Sequence, residues 1–177
     1  GSKEPSVFNT GQILRGLTRA YRETNDDRYR ESAKSAIKWL KEVQQNNGSW
    51  SNHDYNSVSH TYSSRISWPV LEAVHEMGFD FGVEMSSENL RWVLTQQTKN
   101  SWFNKCSFDR SDDPVLHTLA YTIRGLLESA IFLEDNLADQ CEQAAISAAD
   151  KLLNEQIQHG ILRGEYNSEW DATDNYY

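Results

Sequence analysis

The sequence predicts an all-α fold made of three consecutive helical hairpins. Three observations carry that reading. Apolar residues recur at helical spacing in six segments, the segments fall into pairs, and the pairs repeat about every 50 to 60 residues. The chain has 177 residues, enough for one domain with its own core.

In residues 10–24, Ile13, Leu14, Leu17, Ala20 and Tyr21 share one face. Asn25-Asp26-Asp27 restarts the chain, with Asn25 or Asp26 as the cap of the next helix. That helix, RYRESAKSAIKWLKEVQQ, presents Tyr29, Ala33, Ala36, Ile37, Leu40 and Val43 between Lys and Glu residues. The second pair comprises 60–77 and 86–97, with Ser86 or Ser87 as cap and Pro69 marking a kink. The third pair comprises 117–135 and 137–158. The hairpins therefore cover about 8–46, 60–98 and 117–158, within one unit running from 1 to 177.

A joint recurs between these elements. Gln44-x-x-x-Gly48-x-Trp50 is followed by Gln96-x-x-x-Asn100-x-Trp102 and by Gln156-x-x-x-Gly160-x-Leu162. Gly or Asn accepts the left-handed conformation that ends a helix. A glutamine one turn earlier can satisfy loose backbone groups. The stretch WLKEVQQNNGSW resembles the QW motif of squalene-cyclase-like α/α-toroid proteins, aromatic-Leu-x-x-x-Gln-x-x-x-Gly-x-Trp. The second copy departs from it at Asn100 and the third at Leu162. HTYSSRISWPVLEAV and HTLAYTIRGLLESA are similar to bacterial toroid proteins and to the six-hairpin carbohydrate enzymes. Such toroids ring about six hairpins around a cavity, so the resemblance implies about half an α/α toroid. An open half-ring exposes apolar flanks, which implies either further hairpins beyond the C-terminal side or self-association of two copies.

Composition narrows the function. Net charge is −9, from 17 Lys and Arg against 26 Asp and Glu, and no basic stripe interrupts it, which argues against nucleic acid as a partner. No apolar run approaches the roughly 20 residues of a membrane span. Cys106 and Cys141 lack metal-ligand spacing, leaving a disulfide or two free thiols. Neither a metal site nor a cofactor is expected. The chain opens Gly1-Ser2, which reads as the edge of an excised segment, and the compartment is left open. Six Trp, eight Tyr and six Phe are many for this length, and aromatic rings line sugar-stacking grooves as well as cores.

Connections within hairpins are short, whereas 47–59 and 99–116 are long, and long loops are more often functional than accidental. With the first helix of each pair inside, both long loops gather above the N-termini of the inner helices. His60, Tyr62, His117 and Tyr121 are the catalytic candidates there. His53, Tyr55, Arg65, Trp102, Phe103 and Arg124 are the candidates for binding substrate. His117 and Tyr121 stand one turn apart and can face one point. The competing readings are a capping or packed role for the two histidines and core packing for the tyrosines and tryptophans. An arginine on an otherwise apolar helix needs either an internal partner or a ligand carboxylate. The acidic run Asp109-Arg110-Ser111-Asp112-Asp113 lacks calcium-loop spacing and reads as a solvated turn.

The first functional expectation is therefore a carbohydrate-active domain, a hydrolase, lyase or epimerase type with an oligosaccharide ligand. A His/Tyr base with a charge-neutralising Arg fits this chain better than a carboxylate pair. The second is a non-catalytic helical scaffold that binds proteins. The third, invited by the QW resemblance, is terpene cyclisation. That resemblance implies an Asp-x-Asp-Asp acid, and the acidic run here is one residue too long for it.

Overall fold

The computed structural model describes residues 4–108, 113–134 and 136–173. Its helices are α1 (Val7–Thr24), α2 (Asp27–Glu42), α3 (Ser64–Met77), α4 (Val83–Thr95), α5 (Leu116–Ala130) and α6 (Asn136–His159). Two short 3-10 turns, Tyr55–Ser57 and Thr61–Ser63, precede α3. The described residues form no strand, only isolated β-bridges. The expected all-α series of three hairpins is what the chain adopts.

Both candidates at the first turn are used, for different ends. Asn25 takes the left-handed conformation (φ 51°) and ends α1, and Asp26 accepts the Arg28 N–H at 2.9 Å to start α2. The second hairpin corrects the expected cap. Helix α4 begins at Val83 behind Gly82, and Ser86 and Ser87 lie buried within it. The chain turns directly over Val70, Val74 and Ile37, where only a glycine fits. Helix α3 likewise starts at Ser64, and His60 sits just ahead of the 3-10 turn.

The odd helices form one layer, α1 packing on α3 and α3 on α5. The even helices back them, α2 on α1, α4 on α3 and α6 on α5. The α3–α5 approach is close because Gly125 has no side chain. A Cβ there would lie 2.6 Å from the Ser64 carbonyl carbon. Ser64 instead donates its hydroxyl to the Thr122 carbonyl at 3.2 Å. One core cluster, including Leu14, Ile37, Leu40, Trp50 and Ile66, joins α1, α2 and α3. A second, including Leu90, Phe103, Leu119, Leu126 and Trp170, joins α3 to the last hairpin. Burying one large apolar side chain is worth roughly 1.5–3 kcal/mol, so these clusters hold the two layers together.

The joints are real, but in a different register. Gln44 donates its amide to Gly48 O and to Met85 O on the next outer helix, both at 2.9 Å. The residue that repeats this is Gln97, which donates to Ser101 O at 3.3 Å and to Ala144 O on α6 at 2.8 Å. Gln96 reaches only the neighbouring Thr95 hydroxyl. The loop backbones agree: Gln45 N–H bonds Ser49 O, and Thr98 N–H bonds Trp102 O. Gly48 (φ 85°) corresponds to Ser101 (φ 71°), and Trp50 to Phe103. The third expected copy is displaced further. Gly160 does end α6, yet Gln156 is exposed, and the loop pattern reappears where Asn167 N–H bonds Asp171 O at 3.0 Å. Trp170 of that turn packs edge-on against Trp102 and donates to Asn100 O at 3.0 Å.

Gln97→Ala is expected to cost about 1–3 kcal/mol in denaturant unfolding, because it removes the two hydrogen bonds that close the loop and tie it to α6. Gln96→Ala should stay within about 0.5 kcal/mol of wild type. Equal costs would refute the register. Gly48→Ala should be more damaging than either, since an added Cβ would strike the Glu88 carbonyl.

Candidate functional site

The crossover between α2 and α3 is pinned before it reaches the rim. Trp50 is fully buried and donates its indole N–H to Leu40 O at 2.9 Å. Asn89, also fully buried, donates to Gly48 O and accepts from Ser67. Beyond that anchor, His53, Asn56 and Ser57 all adopt positive φ, an arrangement that costs free energy and persists only where surroundings impose it. Two of the imposing contacts come from outside the loop. His53 O accepts the first N–H of α1, from Val7, at 3.0 Å, and Asn56 donates to Phe108 O at 3.3 Å.

The two long crossovers and the start of α1 thereby enclose a cavity of about 1090 Å³ at one end of the helix layer. Phe8, Asp54, Tyr55, Tyr62, Phe108, His117 and Tyr121 line it, with His53 and Asn56 at the edge. The rings form a connected wall. Phe8 lies 5.6 Å from Tyr62 and 5.8 Å from Tyr121, and Phe108 lies 5.9 Å from Tyr62 and 5.2 Å from His117. His117 meets Tyr121 edge-on at 5.5 Å, as one helical turn allows.

Of the residues singled out from sequence, His53, Tyr55, Tyr62, His117 and Tyr121 therefore come together at this cavity. His60 lies behind it, 1% exposed, stacked on Tyr62 at 4.6 Å and bonded through Nε2 to the Tyr55 carbonyl. Burial pushes its pKa down, against the backbone hydrogen bonds of Tyr55 and Ser107, so it supports Tyr62 as a neutral ring. Trp102 and Phe103 are core residues of the second joint and do not reach the cavity, contrary to their expected binding role. The register shift explains this, since Phe103 occupies the place of the structural Trp50. Asp109 and Asp112 lie outside the described residues.

Arg65 and Arg124 sit one turn further along the same layer and answer the question of partners differently. Arg124 pairs with Glu128 at 3.2 Å. Arg65 pairs with no carboxylate among the described residues; Nη2 donates to Gln12 Oε1 at 2.9 Å and the guanidinium lies 4.8 Å over the Tyr121 ring. Pro69 explains how Gln12 is held. Proline lacks the N–H that would bond the carbonyl four residues back, at Arg65. Gln12 Nε2 donates to that carbonyl at 3.1 Å. The same amide thus bridges the backbone and the side chain of Arg65.

Asp54 reads from sequence as a rim-loop carboxylate without a convincing partner carboxylate, and so is not among the site candidates. Oδ1 accepts the Tyr55 N–H at 2.8 Å, whereas Oδ2 is buried with no hydrogen-bond partner. Burial raises its pKa to about 7, only partly opposed by the Tyr55 N–H. The Tyr62 hydroxyl is raised as well, first by burial and then by the Asp54 charge. A carboxyl poised near neutrality in an aromatic cavity can both give and take a proton. Among the described residues no cluster of three His, Cys, Asp or Glu side chains is placed to hold a metal, and Cys106 and Cys141 are both buried.

Comparison with known proteins follows this geometry. The chain aligns with the structure of a D-mannose isomerase over 96% of its own length and 46% of that chain, with a TM-score of 0.73 and 14% identity. It aligns with a sugar epimerase from a ruminal bacterium over 94% of its length and 47% of that chain, with a TM-score of 0.70 and 11% identity. The fold is about half of an α/α toroid. The chain spans about half the length of these neighbours, as three hairpins of a ring would. Residues 9–79 match the family model described as pectic acid lyase. No curated protein matches the sequence. No helix among the described residues is long and apolar enough to cross a membrane.

Asp54 makes stability depend on pH. Its folded pKa lies above the unfolded value of 3.8, so the folded state holds the proton longer. The stabilisation is complete below pH 3.8 and is lost as pH rises to about 7, with a slope of at most about 1.4 kcal/mol per pH unit. Asp54→Asn should flatten this dependence in denaturation curves measured between those limits. An unchanged slope would show that the carboxyl is solvated.

Proposed function

We propose that the rim cavity binds a poly- or oligosaccharide and that this segment forms part of a carbohydrate-processing toroid. The observation that carries the proposal is the combination of an aromatic wall with one buried carboxyl whose second oxygen has no protein partner. Sugar rings present apolar faces that pack on Tyr and Phe, and hydroxyl edges that seek acceptors and donors. Tyr121, Phe8 and Phe108 supply the faces. Asp54 and His117 supply the proton-transfer groups, Asp54 from the loop and His117 from the start of α5. In this assignment Tyr62 is a hydrogen-bonding wall, since its hydroxyl is held far from ionisation.

The names of the compared proteins support the same substrate class. The solved neighbours are a D-mannose isomerase and a sugar epimerase, and the partial family match is to pectic acid lyase. Hydrolase, lyase and epimerase chemistries all need a positioned acid or base beside a sugar carbon, and the cavity provides one. The scaffold alternative has no use for an unpaired buried carboxyl, which costs stability without supporting the fold.

Saturation-transfer NMR with a panel of neutral and acidic oligosaccharides tests the proposal. At least one glycan should bind, and Tyr121→Ala should weaken it about tenfold by removing the stacking face. Asp54→Asn should leave that binding within about threefold while abolishing turnover of the same glycan by the full-length protein. A panel without a binder would overturn the saccharide reading.

A further inference from the structure

Below the rim cavity, the free face of the inner layer carries a second constellation. Arg15 of α1, Arg65 of α3 and Arg124 of α5 all direct their guanidiniums at one indole, that of Trp68, at 4.0, 5.3 and 5.0 Å from the ring centroid. Three like charges on three different helices converge there in a chain whose net charge is −9. Two carboxylates answer them. Glu72 stands 3.7 Å from Arg15, and Glu128 stands 3.2 Å from Arg124. Arg65, between the two, is left with one positive charge and no counter-ion among the described residues.

Arg65 is moreover set up to stay unpaired. Its Nη2 is committed to Gln12, and its Nε is buried without a hydrogen-bond partner. A guanidinium has five donors in a planar fork and keeps its charge when partly buried. Placing such a group beside two other cations costs free energy unless an anion is supplied. Burial and the charges of Arg124 and Arg15 press on the Arg65 charge, and Tyr121 and Glu128 offset only part of that cost. Gln12 and the Pro69-freed carbonyl hold the side chain in position, and the Tyr121 ring packs against it at 4.8 Å. Since Tyr121 also lines the rim cavity, the cation and the proposed sugar site are adjacent along one wall.

We infer that Arg65, flanked by Arg15 and Arg124, forms an anion subsite that receives the charged group of an acidic saccharide bound at the rim. This rests on the saccharide reading of the cavity and adds the substrate's charge to it. A carboxylate on a sugar bound beside Tyr121 would meet the remaining amino group of the Arg65 guanidinium, because Nη2 is taken by Gln12 and Nε is buried. Arg15 and Arg124 would supply field and Arg65 the hydrogen bonds. A neutral sugar would leave that donor unsatisfied, so the subsite discriminates against it.

The test uses three probes, D-glucuronate, D-glucose and inorganic sulfate, with the Arg65 Nε–Hε resonance and ligand affinity as readouts by NMR. Glucuronate should bind at least tenfold more tightly than glucose and shift the Arg65 resonance, and Arg65→Gln should erase the difference. Glu128→Gln provides a gain that misfolding cannot imitate. Removing that negative charge should tighten glucuronate binding about threefold. Equal binding of the two sugars, unaffected by either variant, would overturn the subsite and leave the saccharide reading standing. Sulfate moving the Arg65 resonance while neither sugar binds would keep the anion subsite and overturn the saccharide reading. No binding of any probe would overturn both.

Discussion

The joint glutamines are the constraint on which the rest of the structure depends. Each closes its own loop and also reaches the next outer helix, Gln44 to Met85 and Gln97 to Ala144. A helical hairpin cannot bury both of its faces alone, so each must be locked to its neighbour at a defined height. One amide does this twice over, satisfying the carbonyl of its own turn and a carbonyl of the neighbouring helix. The heights of α1, α3 and α5 follow, and Gly125 lets α3 and α5 come close enough for their inner-face side chains to share one surface. Without that shared surface neither the aromatic wall nor the arginine convergence on Trp68 could form.

Fixing the joints also decides where the long crossovers go. Both leave the outer layer at anchored turns and return to the start of an inner helix, so both must pass over the same end of the layer. There they meet the N-terminus of α1, whose first N–H is taken by His53 O. Stapling the crossover down in this way sets Asp54 into a partly dry position, and that position gives its carboxyl a near-neutral pKa. Positive φ at three residues around it is the conformational cost of holding the loop in place. Site and strain are in the same five residues, His53 to Ser57, for one reason: the loop is shaped by its contacts and not by its own preference.

Much of this was legible in the residues. Helical spacing located six helices, and loop lengths located the rim, because periodicity and punctuation are local properties. The joint register was misread for an equally concrete reason. Gln44-Gln45 and Gln96-Gln97 are both doublets, and the tryptophan at position 102 attracts the alignment to Gln96. Matching Trp39 with Trp92 would have placed Gln97 opposite Gln44 and Phe103 opposite Trp50, and it would have removed Trp102 and Phe103 from the binding candidates. No such internal check existed for the cap of α4, where tertiary contact around Gly82 overrides two good capping serines. Asp54 was illegible as a site for a related reason. Nothing next to it in sequence announces burial, which is supplied by the loop's tertiary contacts. His60 shows the reverse error: its repeat with His117 in "His-Thr" is a likeness of position at a helix entry, yet one ring is packed and the other open.

Pro69 carries the last step of the argument. In a helix interior a proline normally weakens the fold by removing a hydrogen bond and freeing a carbonyl. Here the freed carbonyl belongs to Arg65, and Gln12 takes it while holding the same residue's guanidinium. With an N–H at position 69 the carbonyl would be satisfied within α3, and Gln12 would lose one of its two holds on Arg65. A helix defect, an amide and an unpaired cation thus form one unit spanning α1 and α3. The pieces are destabilising when taken singly, and fold stability offers no reason to keep them together. The proposed anion subsite gives them a common role, orienting a charge on the inner layer of helices.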